Sequence, residues 1–304
     1  MTETPALTRT ARPRIQPDRV AGPAAQTVRA SAEWLALREP ADAAARSRPL
    51  VALLPPPDPA AAIRVVHDLG SGTGGMPRWL APLLPGPQHW VLHDRDADLL
   101  AVAATTPDPR TADHHHVTVE TRRDDVTRLS PADLAGADLI TASALLDMLT
   151  APELERLVAT CVAAGAPTLV ALSVVGRVDL TPPDPLDRLL EGAFNAHQRR
   201  IIADDPLLGP DAAPVAIRLW ENAGWQVTGH PTPWHLDCTQ PYLTREWLDG
   251  WIGAAVEWRQ DLGKAGAAYG ARRRAQLAAG RLRATIHHVD LLATPPHLGG
   301  MPHG

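Results

Sequence analysis

The 304-residue chain has little from which to build a redox or membrane framework. Its two cysteines, Cys161 and Cys238, lie far apart and have no partners at metal-ligand spacing. They read as packed thiols rather than a disulfide or a zinc site, which suits a reducing, cytoplasmic setting. No run of ~18 apolar residues occurs, so no membrane span is predicted. The first residues, MTETPALTRTARPRIQP, lack the apolar core of a signal peptide and read as a disordered tail over residues 1–23. Lysine is almost missing: Lys264 is the only one, and arginine supplies the other cations. The formal net charge is −5, which gives no overall pull toward nucleic acid or an anionic membrane. The balance of 45% hydrophobic and 21% charged residues is that of an ordinary globular protein.

What the chain does have is the stretch Ile63 to Gly75, IRVVHDLGSGTGG. Ile63, Val65 and Val66 are apolar and β-branched, and Asp68 precedes a glycine-rich turn. Met76, Trp79, Leu80, Leu83 and Leu84 then recur at helical spacing. The pattern predicts strand, tight turn, helix. Glycines let backbone approach a ligand, and a helix N-terminus offers free N–H donors. Such a turn at the carboxyl end of a parallel strand is where an open α/β sheet takes nucleotide-like ligands. Two cofactor types fit. Gly70-x-Gly72-x-x-Gly75, followed by Asp94, matches a dinucleotide fingerprint. Gly70-x-Gly72-x-Gly74 with Asp68 two residues upstream resembles motif I of the class I S-adenosylmethionine-dependent methyltransferases. Asp68 favours the second, because a carboxylate beside the turn repels a pyrophosphate and suits an ammonium and a sulfonium.

The resemblance extends to later motifs. WVLHDRDADLL resembles the family's second motif, with Asp94 at the tip of strand two accepting the ribose hydroxyls and Arg95 beside it. Arg123-Asp124-Asp125-Val126 resembles the acid-plus-apolar pair that reads adenine; Asp125 and Val126 align, with Asp124 as rival. By the same resemblance Ser71, Gly74 and Ser143 join the cofactor set, and S-adenosyl-L-methionine is the expected cofactor. The implied fold is α/β, a doubly wound seven-stranded sheet whose antiparallel last strand inserts between strands five and six. The motifs cover about residues 60–175. Beyond that the likeness rests on element order.

Around this domain, expected over 58–304, lie an N-terminal helical lid at 24–57 and helical insertions at about 178–208 and 240–280. Pro40 is expected to interrupt the lid helix. Thr150-Ala151-Pro152-Glu153 reads as a capped helix start, and Pro167 to Val175 as a strand covered on both faces. Trp247, Trp251 and Trp258 suggest one buried stripe, and Arg272-Arg273-Arg274 a solvated helix face. His114, His115 and His116 read as a solvated loop, since adjacent residues of an extended segment point to opposite faces.

These features predict methyl transfer to an O, N or C atom of a small molecule, with no membrane or nucleic-acid partner and no oligomeric state fixed, a homodimer being one option. Absences narrow the chemistry. No Asn/Asp-Pro-Pro-aromatic motif or Pro-Cys follows strand four, against amino or C5 methylation of bases. Strand five, LVALSVVG, offers no acid for a metal-dependent catechol enzyme. An NAD(P)-dependent oxidoreductase, an RNA methyltransferase and a non-catalytic binding protein that keeps the fold are the alternatives. For a general base the candidates are, in order, His197, Asp147 and His235. Trp34, Arg38, Asn195, Gln198, Arg199 and Trp234 are the substrate candidates.

Overall fold

The computed structural model describes residues 30–56, 63–105, 110–202 and 204–296. The predicted tail lies outside them. Helix α1 (Ala32–Ala45) starts at Ser31, whose hydroxyl accepts from the Trp34 N–H at 3.2 Å. It runs through Pro40, where a break is expected from sequence. Proline there forfeits one backbone donor, but its ring is exposed, and Arg38 grips Asp42 across that turn with two N–H···O contacts of 2.9 and 3.1 Å. A short α2 (Arg48–Val51) follows.

The alternation then begins: β1 (Arg64–Leu69), α3 (Gly75–Leu80), β2 (Gln88–Asp94), α4 (Ala97–Thr105) and β3 (Val117–Arg123). Asp96 starts α4 by accepting from the Asp98 N–H at 3.0 Å. Two short 3-10 turns, Val126–Arg128 and Pro131–Leu134, join β3 to β4 (Leu139–Ser143). Helix α5 (Ala151–Ala164) opens with Thr150 and Glu153 capping one another, and Gly165 at φ +72° closes it. Strand β5 (Thr168–Thr181) is longer than its sequence suggests: Val178 to Thr181, expected in an insertion, are still paired, because β10 (Arg283–Thr294) follows them with register shifts. Then come α6 (Asp187–Gln198), a small hairpin of β6 (Ile201–Ile202) and β7 (Asp205–Pro206), α7 (Ala212–Asn222), β8 (Gln226–Pro231), β9 (Trp234–Leu236), α8 (Pro241–Trp258) and α9 (Gly263–Ala278).

The main sheet has the order β3-β2-β1-β4-β5-β10-β8, with the short β9 also paired to β10. β1 to β5 are parallel; β10 is antiparallel to β5 and β8. The chain therefore winds outward in two directions from β1 and β4, and the crevice between their carboxyl ends is the switch point where such sheets bind ligands.

Three apolar clusters hold this together. One face buries Leu50, Val66, Trp79, Leu80, Trp90 and Leu92 under α2, α3 and α4. The other buries Leu69, Ile140, Leu154, Leu157, Val170 and Trp220 under α5 and α7. The third joins α1, α6, α8 and α9 over the far ends of β5 and β10, around Trp234, Leu248, Trp251 and Tyr269. Trp247 and Trp251 stack there at 5.8 Å, whereas Trp258, at the end of α8, is exposed and leaves the predicted stripe. The arginine triplet also departs from a solvated face. Arg273 is fully buried, bonded to Asp187 and, at 2.5 Å, to the Pro182 carbonyl; Arg272 pairs with Asp184 and Arg274 with Asp249. A guanidinium buried here keeps its charge by meeting a carboxylate within the same helical layer.

Candidate active site

A cleft of about 710 Å³ opens over the carboxyl ends of β1, β2 and β4 and is closed from above by α1. Its floor is the glycine turn. Gly70, Gly72 and Gly74 sit at φ +67°, +55° and +79°, left-handed backbone that a side chain would strain. The turn is tied to the tip of β2: the Gly70 and Ser71 N–H groups donate to the His93 carbonyl at 2.8 and 3.0 Å, and Gly72 N–H to Asp94 Oδ2 at 2.8 Å. A Cβ on Gly72 would stand 2.9 Å from Leu35 of α1, and one on Gly70 3.0 Å from Leu145. The missing side chains therefore shape the cleft itself.

Asp68 lies beneath the turn, 1% exposed. Its Oδ1 accepts from Thr141 at 2.7 Å, while its Oδ2 is buried with no partner. Burial pushes this carboxyl up to about 7, against the pull of the Thr141 bond and of the Arg46 charge. Asp94 also holds the Asp96 N–H at 2.9 Å. Past β3, Asp125 turns its carboxylate onto the Thr127 N–H at 3.1 Å and starts the 3-10 turn that carries Val126. Behind this rim His67 Nδ1 stands 2.9 Å from His93 Nε2, and His93 Nδ1 2.9 Å from Asp124 Oδ2. This buried chain ties the tips of β1 and β2 to the loop after β3. Burial and the neighbouring His93 bring His67 down to about 4.

All ten residues expected at the cofactor line this cleft except Gly74, which caps α3 behind it. Of the substrate candidates only Arg38 lines it, with its guanidinium 4.9 Å from the Trp234 ring and 6.0 Å from Trp34. Trp34 and Trp234 instead pack in the third cluster, and Trp234 lies 5.5 Å from the buried His288 ring. Asn195 spends its amide on the Gly176 carbonyl at 2.6 Å, and Gln198 packs on Gly209. Arg199 is held by Asp211 through contacts of 2.5 and 2.9 Å, so its fork is not open to a ligand carboxylate.

The base candidates separate as well. His197 faces Glu257 of α8 at 3.6 Å and is absent from the cleft lining. His235 is exposed on β9, with Thr285 Oγ1 at 3.3 Å. Asp147 is not in the lining either, but it lies on the 3-10 turn Leu146–Met148, between the cleft-lining Leu145 and Met148 in sequence. Burial pushes its carboxyl up to about 6, opposed by the Arg38 and Arg200 charges.

Sequence reasoning missed Glu39, Asp42, Arg46 and Glu153, all of which line the cleft. Glu39 clamps Arg78 of α3 with two contacts of 2.6 Å, and Arg78 holds the Thr73 carbonyl at 2.6 Å, so α1 is fastened to the turn. The available signal was the spacing of Arg38, Asp42 and Arg46 at i, i+4 and i+8, one face of a helix.

Residues 66–168 match the model of a family described as a methyltransferase domain. Over that stretch the chain carries a methyltransferase domain. No curated protein matches it. Among solved structures it is similar to a cyclopropane-fatty-acyl-phospholipid synthase-like protein from Lactobacillus casei ATCC 334, at 14% identity over 86% of this chain and 92% of that one, with a TM-score of 0.50. It is also similar to a putative type II methyltransferase from Anaeromyxobacter dehalogenans, at 18% identity over 85% and 98%, with a TM-score of 0.49. At these identities the first likeness speaks for the fold alone. The cleft suits S-adenosylmethionine: the glycine cradle leaves room for it, and Asp68 presents an unpartnered buried carboxylate oxygen. Among the described residues no helix is long and apolar enough to cross a membrane.

Proposed function

We propose that this methyltransferase alkylates an O, N or C atom of a small, soluble acceptor held between the glycine turn and α1. The observation that carries the reading is Asp68. A buried carboxylate with one free oxygen beside the turn invites the cationic half of S-adenosylmethionine and opposes the pyrophosphate of a dinucleotide. When bound, that cofactor supplies a methyl group on a sulfonium, and S-adenosylhomocysteine leaves.

The chain's own residues do the rest. Asp94 accepts from the ribose hydroxyls. Asp125 accepts from the adenine amine, and the Val126 N–H donates to the ring. Ser71, Arg95 and Ser143 complete the cofactor set, while Gly74 serves it only by starting α3. Alignment of two reactants in a closed cleft supplies much of the rate. Where the acceptor carries a proton, Asp147 takes it. Its raised pKa leaves it ionised at neutral pH yet more basic than an ordinary carboxylate. A small acceptor is favoured over RNA because Arg272, Arg273 and Arg274 are each paired with an acid.

Calorimetry with S-adenosylmethionine and with NAD tests the cofactor half, and binding of NAD alone sinks it. A metabolite screen with labelled methyl donor then identifies the acceptor. Asp147→Asn should lose ~10²–10⁴-fold in turnover while cofactor affinity holds. Parent-like turnover removes Asp147 as the base.

A further inference from the structure

Arg46 stands at the C-terminal end of α1 and reaches under the glycine turn. It is 6% exposed and lines the cleft. Its Nη1 donates to the Gly75 carbonyl at 3.1 Å and its Nη2 to Ser143 Oγ at 3.0 Å, and the Trp79 ring lies 5.5 Å from the guanidinium. Its Nε is buried with no partner. Both bonds therefore go to neutral oxygens. The nearby acids are engaged elsewhere: Asp42 grips Arg38, and Asp290 accepts from the Ser47 and Leu172 N–H groups and from Thr232. Among the described residues Arg46 has no carboxylate in hydrogen-bond contact. Burial lowers its pKa, so the charge is held there at a cost.

The rest of the cleft makes this residue distinctive. Among the described residues, acidic side chains outnumber arginines in its lining by nine to four. Of those four, Arg38 is neutralised by Asp42, Arg95 and Arg123 are exposed at the rim, and Arg46 alone is buried. An anionic ligand group entering the floor meets one buried cation. Arg46 also feels the charge of Asp68, whose second oxygen is free. A buried cation and a buried anion lining one cleft, each short of a partner, complement a zwitterion. The amino-acid end of S-adenosylmethionine is one, with ammonium and carboxylate on the same carbon.

The geometry points to Arg46 as the anchor for the carboxylate of the cofactor's amino-acid end, so that α1 completes the cofactor site and does more than cover the acceptor. The assignment deepens the cofactor reading above and rests on it. It gives α1 a cost that a simple lid does not have, since a chain lacking residues up to 57 loses the anchor with the helix.

The test is a ligand-by-variant cycle in the full chain, read by calorimetry. The ligands are S-adenosylmethionine, its decarboxylated analogue, and 5′-methylthioadenosine, which lacks the whole amino-acid end. The parent should bind the first ~10–100-fold more tightly than the second, the range expected for a charge-assisted hydrogen bond. In Arg46→Met that ratio should collapse to about one while affinity for the decarboxylated analogue holds; Arg46→Lys should keep part of the ratio. A ratio that survives in Arg46→Met overturns the assignment. So does an equal weakening of all three ligands, the mark of a structural role, or a parent that does not discriminate, which needs no variant to fold. A parent that binds none of the three removes the cofactor reading itself.

Discussion

The turn side of the cleft and its helical cover are built by different rules. On the turn side, backbone does the work: Gly70, Ser71 and Gly72 donate N–H groups to the tip of β2, and Asp94, Asp96 and Asp125 each hold backbone N–H groups close by. In the helical cover, side chains do it: Arg38 with Asp42, Arg78 with Glu39, Arg273 with Asp187. Local backbone geometry tolerates many surface changes and few glycine changes. A layer of ion pairs tolerates backbone variation, and it fails when one partner of a buried pair is removed.

Four expected outcomes sharpen or break that contrast. The largest belongs to Asp94→Ala. If two ribose hydroxyls lose a charged acceptor, each bond costs roughly 1.5–3 kcal/mol, so cofactor affinity should fall by orders of magnitude in calorimetry. A folded variant with unchanged affinity would show that the tip of β2 does not read the ribose.

Next is Arg273→Met, which removes the buried cation from the half-buried Asp187, leaves that acid the Tyr269 hydroxyl and the Asp184 N–H, and should destabilise the fold by about 3 kcal/mol in denaturant titration. The same variant, where folded, should bind the cofactor as the parent does. A loss of affinity would mean that α9 and the turn are coupled and the two regions are not separate.

The third outcome concerns pH. Asp68 is raised to about 7 in the folded chain, above the ordinary carboxylate value of about 3.9. Between those values the folded state keeps a proton that the unfolded state has released. Stability of the ligand-free protein should therefore fall as pH rises through that window, by no more than ~1.4 kcal/mol per unit, and level off above about 7. Asp147, raised to about 6, adds a fall of the same sign. Asp68→Asn should flatten the Asp68 part. Affinity for the cationic cofactor should rise with pH over the same window, because binding favours the ionised form. A parent whose stability is level from pH 4 to 7 removes Asp68 as a raised acid.

The smallest is Gly72→Ala. Left-handed backbone at φ +55° costs a side chain about 1–2 kcal/mol. The new methyl also meets Leu35 at 2.9 Å, so Leu35→Ala should relieve the contact and not the strain. Full recovery in the double variant would make the cover, rather than the backbone, the limiting part.

Much of the turn side was readable in order. Asp68, the glycines, Asp94 and the Asp125-Val126 pair follow their strands at short range, and strand ends are marked by where apolar alternation stops. The helical cover was not readable in the same way. FNAHQRR looks like a helix with a wet face, yet Asn195 is bonded to a carbonyl of β5 and Arg199 to an acid twelve residues on. Pro40 looked like a break because propensity rules ignore the pair that braces it.

The sequence alone determined the strand-turn-helix frame, the strand-helix alternation of a doubly wound sheet, and the acids set at the strand tips. These depend on periodicity and on neighbours a few residues away. The reversed last strand was implied by the family resemblance and is fixed by the pairing of β10 with β5 and β8. Tertiary structure decided which charges are buried and what they face. Arg46 meets Gly75 at a separation of 29 residues and Ser143 at 97, and Arg273 meets Asp187 at 86. A charge in a one-dimensional pattern reads as solvated, because burial is set by whatever the folded chain packs against it.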